Sequence, residues 1–145
     1  MRRIQRSQAV EAYIQTVIAN DGSPFREIWK FILFCSALGQ KTGKRKPLGN
    51  VDSGKSIPSQ IFSNCAAWPG YLYLLGIVEA SDPGVMNQSE ENKLLTIFEE
   101  YANGGLALLM ERFPSGSIDV PAFVDLSLEF LLATEIKPDL EGIQL

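Results

Sequence analysis

Gly49-Asn50-Val51-Asp52-Ser53-Gly54-Lys55-Ser56 is the stretch whose residue types and spacing come nearest to a known chemistry. It spells G-x-x-x-x-G-K-S. In that string backbone N–H groups wrap a phosphate, the lysine reaches the outer phosphates and the hydroxyl meets magnesium. On this reading Gly49, Gly54, Lys55 and Ser56 bind a nucleotide. The chemistry needs a buried strand before the first glycine and a helix after the serine, so that free N–H groups point at the phosphate. The preceding residues, Lys41-Thr42-Gly43-Lys44-Arg45-Lys46-Pro47-Leu48, are too charged for an interior strand and contain a proline. No second apolar strand ends in a magnesium-binding aspartate. The string is therefore expected to be solvent-exposed loop, with a small nucleotide-binding enzyme as the competing class.

The same stretch offers a second chemistry. Lys41, Lys44, Arg45, Lys46 and Lys55 fall in one segment, with Arg2, Arg3 and Arg6 near the N-terminus. Eight cations on one face would hold a phosphate backbone electrostatically without reading bases, or would meet an acidic protein. The segment has no interleaved aromatics, which argues against stacking on single strands. Charge is unevenly distributed along the chain. Residues 1–60 hold ten Lys/Arg against four Asp/Glu, and residues 61–145 hold three against thirteen. Such a two-signed molecule either attracts partners or lets its own halves attract each other.

Other candidate chemistry is thin. Glu99 and Glu100, with Glu90, Glu91 and Glu111, suggest metal or acid–base carboxylates, but adjacent helical residues point about 100° apart and cannot share one tight site. They are expected on a solvated helix face. The chain has no histidine, which removes Ser-His and Cys-His nucleophile schemes. Its two cysteines, Cys35 in an apolar run and Cys65 beside Trp68, read as buried thiols and cannot alone make an ordinary zinc site. No metal and no cofactor are expected.

The elements that must position these residues are helical. Val10, Tyr13, Ile14, Val17 and Ile18 make the stripe of an amphipathic helix over 7–20, capped by Ser7. Ser23-Pro24 restarts the chain into a second helix, Phe25 to Leu38, apolar on most sides and so central, with Trp29 and Phe34 buried and Gly39 ending it. Residues 40–56 form a long basic loop between helices 2 and 3. Residues 57–64 fit either a short strand or one helical turn. Trp68-Pro69 opens a helix to Ala80, and Ser81-Asp82-Pro83-Gly84 is turn chemistry. Another helix starts near Ser89 and buries Leu94, Leu95, Phe98, Tyr101 and Ala102. There Asn103-Gly104-Gly105 either terminates it or admits another backbone. Helical pattern resumes over 106–113, and a last helix covers 120–134. The expectation is one all-α domain of five or six helices over residues 1–136, with a frayed tail at 137–145. With 145 residues, 46% apolar, and no apolar run of 18, the chain is expected to be cytoplasmic, without a signal peptide or membrane contact.

Two strings say more than their helices require. One runs from Pro24-Phe25 and Phe31-Ile32-Leu33-Phe34-Cys35-Ser36-Ala37-Leu38-Gly39 into Gly43-Lys44-Arg45-Lys46-Pro47-Leu48. The other is Ile97-Phe98-Glu99-Glu100-Tyr101-Ala102-Asn103-Gly104-Gly105-Leu106. Together, over about residues 7–113, they resemble the family called Dnd system-associated protein 4, or DNA phosphorothioation-associated protein 4. The resemblance implies a setting of sulphur modification of DNA, restriction of unmodified DNA and phage defence, with other proteins of that system as partners. It carries over no catalytic residue. The reading is a non-catalytic accessory factor whose basic loop contacts the DNA backbone or a partner protein; a purely structural subunit assembled head-to-tail is the remaining alternative.

Overall fold

The longest run with helical apolar spacing becomes the centre of the molecule. In the computed structural model, which describes residues 1–81, 84 and 88–133, the order is α1 (Glu11–Ala19), α2 (Ile28–Thr42), α3 (Ser59–Phe62), α4 (Trp68–Ala80), α5 (Glu91–Arg112) and α6 (Val120–Ala133). Single 3-10 turns lie at Gln8–Val10, Ser53–Lys55 and Gln88–Glu90. Two isolated antiparallel bridges, Ile4 with Ile57 and Ser7 with Val51, are the extended pairing among the described residues. The expected all-α single domain is what forms. No helix among the described residues is long and apolar enough to cross a membrane. The expected tail at 137–145 lies outside the described residues.

Helix α5 is buried along its length, from Leu94 and Leu95 through Phe98 and Ala102 to Leu106 and Leu109. Helices α2 and α4 pack on it. Phe62, Trp68 and Phe98 stack edge and face at 4.8–5.6 Å between ring centres, joining α3, α4 and α5. A second aromatic group, Phe25, Phe31, Phe34 and Phe123, seats α6 against α2 at 5.0–5.4 Å. The Tyr13 hydroxyl of α1 lies 3.1 Å from the Leu109 carbonyl and 2.9 Å from that of Phe113, tying α1 to the end of α5. Burial pushes the Tyr13 phenol up to about 12, and that of Tyr71 likewise.

Several sequence expectations change here, each for a packing reason. The Asn103-Gly104-Gly105 segment does not end a helix: α5 runs straight through it as one 22-residue helix. Its glycines admit another backbone instead. A Cβ on Gly104 would stand 2.0 Å from the Lys44 carbonyl oxygen, and one on Gly105 2.0 Å from that of Cys35. Gly39 is the third member of this seam, its absent Cβ lying 2.0 Å from the Tyr101 carbonyl oxygen, so it is interior to α2 rather than its stop. The stop is Gly43, left-handed at φ +69°. Helix α2 starts at Ile28, later than expected, because the Ser23 hydroxyl accepts the Phe25 N–H in a local turn and Glu27 is the N-cap. The central helix is α5, not α2, and Trp29 and Phe34 are half-buried at the margin of α2. Residues 57–64 combine both readings, with Ile57 in a bridge and one helical turn at Ser59–Phe62.

Candidate functional site

The segment after α2 is laid down on α5 by its own main chain. The Lys44 N–H donates to the Gly39 carbonyl at 2.8 Å, and the Lys46 N–H to the Glu100 carbonyl at 3.0 Å. The Asn103 side-chain amide donates to the Pro47 carbonyl at 3.0 Å and approaches that of Lys46 at 3.4 Å. With Gly104 giving the Lys44 carbonyl its space, the basic stretch 44–47 is a fixed strap rather than a free loop.

Its charges divide into two kinds. Arg45 donates through Nε to Glu100 at 2.9 Å and through Nη1 to Glu79 at 2.7 Å, tying α4 to α5. Burial lowers its pKa, but the bonds to Glu100 and Glu79 outweigh that and raise it. The Tyr101 hydroxyl also donates to Glu79, and these two partners, Tyr101 first and Arg45 next, hold the Glu79 carboxyl below the usual carboxylate range. Lys41, Lys44 and Lys46 point outward and are exposed. Lys44 stands 4.0 Å from Glu111, at the outer limit of an ion pair. Lys41 and Lys46 make no ion pair among the described residues.

The N-terminal arginines, expected to join this surface, are used internally. Arg2 grips Glu99 with both nitrogens at 2.8 Å, and the Gln5 N–H donates to the same carboxylate at 2.5 Å. Glu99 is 3% exposed, so it is not on the solvated face expected of it; it is the buried anchor of the N-terminal arm. Arg6, 8% exposed, binds Glu11 and the Lys55 carbonyl, and Arg6 holds the Glu11 carboxyl low. Arg3 donates to the hydroxyl and carbonyl of Ser56, both at 2.7 Å. Lys55 therefore belongs with the N-terminal arm, on a different stretch from Lys41–Lys46.

Around Gly49–Ser56 the N–H groups of Gly54, Lys55 and Ser56 and the Ser56 hydroxyl already have partners. The Asp52 carboxylate accepts the Gly54 N–H at 2.9 Å. The Lys55 and Ser56 N–H groups donate to the Asp52 and Ser53 carbonyls at 3.0 and 3.3 Å. The Ser56 hydroxyl donates to the Ser53 carbonyl at 2.7 Å. Gly49 is left-handed at φ +67° and follows no strand, and the helical piece that includes Lys55 is a single 3-10 turn. Cys35 is fully buried, which pushes its thiol up, and Cys65 is half-buried. Among the described residues no cluster of three or more cysteines and carboxylates is placed to hold a metal.

Sequence reasoning missed Glu79, Tyr101 and Asn103, whose partners lie 22 to 57 positions away. One signal was present. Because Glu99 and Glu100 point apart, two adjacent carboxylates needed two separate partners, and they take Arg2 and Arg45. Also unread was an apolar outer side. Leu74 and Val78 on α4 are 59% and 58% exposed, and Val120, Val124, Leu128 and Leu132 on α6 lie between 44% and 64%.

The strap and its receiving helix are the two strings that carried the resemblance. The family model for DNA sulphur modification system-associated protein 4 matches residues 3–137. None of the curated proteins and none of the solved structures compared with the chain matches it.

Proposed function

The chain belongs to the family of DNA sulphur modification system-associated protein 4, and on that premise we propose that it is a non-catalytic accessory factor touching the DNA backbone through Lys41, Lys44 and Lys46. It works in the cytoplasm with other proteins of a modification-restriction system that resists phage. What supports this reading is one observation. The three lysines are presented to solvent by a helix end and a strap that α5 holds in place, while Arg45 beside them is paired with Glu79 and Glu100. Flexible ammonium groups on a fixed frame suit a sequence-blind phosphate contact. Lys55 adds to that contact only where a duplex also reaches the N-terminal arm. A second reading, in which these lysines meet an acidic partner protein, draws support from the apolar side next to Lys41.

The test is the salt dependence of duplex binding. Affinity should be weak and independent of sequence, and the log–log salt slope of a Lys44→Ala, Lys46→Ala variant should be shallower by up to about 1.8. Arg45→Ala should lower the melting temperature through loss of the Glu79 and Glu100 contacts and leave the slope unchanged beyond that. Absence of any duplex affinity at about 50 mM salt, where phosphate contacts are strongest, would transfer the lysines to the protein-docking reading.

A further inference from the structure

Helices α2 and α4 leave an apolar seam open between them. Along it lies a hollow of about 170 Å³ lined by Leu33, Ala37, Trp68 and Tyr71. It continues past Tyr71 into one of about 90 Å³ under Leu74 and Val78. On the far side of Ala37 a third hollow, about 300 Å³ and also apolar, separates α2 from α6 and is edged by Lys41. Exposed apolar side chains in a continuous trough of this kind mark a docking surface. A helix bearing apolar residues at i and i+4 would fill it.

The chain carries such a helix. On α6 the residues Val120, Val124, Leu128 and Leu132 follow a spacing of four and are all exposed. Their span of twelve residues is about 18 Å, and the α4 wall from Ala67 to Val78 is about 16 Å, at 1.5 Å per helical residue. The charges match as well. No Lys or Arg occurs between Phe113 and Ile136, and Asp119 and Asp125 flank the stripe, while Glu129 beside it is paired with Arg112. Lys41 edges the neighbouring α2–α6 hollow on the other side of Ala37, and the strap lysines follow it in the chain. Within one molecule the stripe faces away from the trough, because Leu126, Ser127 and Phe130 are the α6 residues that line the α2 side.

We propose that the α6 stripe of one copy docks in the α2–α4 trough of a second copy. The two surfaces differ, so the contact is head-to-tail and builds a ring or a filament rather than a two-fold dimer. This goes beyond the accessory role and does not depend on DNA contact.

Sedimentation of the whole chain at about 100 μM, where a micromolar contact is saturated, tests it. The wild type should run as species of several times the monomer mass. A trough variant, Ala37→Glu, and a stripe variant, Val124→Asn with Leu128→Gln, should each be monomeric with unchanged helical circular dichroism. Mixed in equal amounts they should form a complex of twice the monomer mass, since each retains one intact surface. A wild type that stays monomeric overturns the proposal, whatever other occupant covers the trough. A dimer broken by both variants and not restored on mixing also overturns it, in favour of a symmetric contact.

Discussion

Arg45 commits both edges of its guanidinium to Glu79 and Glu100, while Lys46, the next residue, leaves its ammonium in water. The planar fork of arginine suits paired carboxylates; the compact, strongly hydrated charge of lysine does not require one. A count of cations along the chain cannot make this distinction, because the deciding carboxylates come from helices 34 and 55 positions away. The residue types of the candidate surface were thus legible in the sequence, and their availability was not. The same holds for the phosphate-loop string, whose letters are right and whose Gly54, Lys55 and Ser56 N–H groups are occupied. Magnesium-ATP should therefore leave the melting temperature unchanged, and Lys55→Ala should melt with the wild type. A ligand at one hundred times its dissociation constant would add about 2.7 kcal/mol, which calorimetry resolves readily. A rise that vanishes in Lys55→Ala would show that the Asp52–Gly54 turn opens for nucleotide.

Helices α2 and α5 approach until carbonyls of one chain stand where side chains of the other would begin. The periodic stripes made the helices themselves legible, down to the Trp68-Pro69 start of α4, although Ser7 caps a 3-10 turn at Gln8–Val10 and α1 itself begins only at Glu11. Their interior glycines were harder, since a glycine near the end of a stripe looks the same whether it caps a helix or admits a neighbour. Only the partner backbone decides, and it lies elsewhere in sequence. Gly39 and Gly104 lie in helix interiors, where alanine would ordinarily gain up to about 1 kcal/mol. Here the added methyl meets a carbonyl oxygen that no rotamer change can move. Gly104→Ala should therefore destabilise by about 2 kcal/mol or more in urea unfolding, net of that gain, as overpacking typically costs. Gly70→Ala in α4, with nothing within 4 Å of the new methyl, should be neutral or stabilising by up to about 1 kcal/mol. Equal effects at the two sites would mean that Gly104 does not set how closely the strap approaches α5.

Across the whole molecule the basic N-terminal half is clasped to the acidic remainder. Arg2 with Glu99, Arg45 with Glu79 and Glu100, and the N-terminal amine with Glu91 all join the two halves. Self-attraction absorbs part of the asymmetry seen in the sequence, since Arg2, Lys44 and Arg45 pair with carboxylates of the acidic half, on a chain of net charge −4. Two or three phosphate contacts make a weak binder on their own. Head-to-tail assembly would change that without any new contact, because each docked copy places its lysines near the same duplex at high effective concentration. The stripe variant, Val124→Asn with Leu128→Gln, isolates this effect, since it alters no charge and leaves Lys41, Lys44 and Lys46 in place. On a long duplex, and at concentrations where the wild type is assembled, the variant should bind at least tenfold more weakly, the low end of avidity gains being about a hundredfold. On a duplex of about eight base pairs, roughly 27 Å long and too short to bridge copies, the two proteins should bind alike. Equal binding on both lengths would separate the assembly from the DNA contact and leave the trough with a structural role alone.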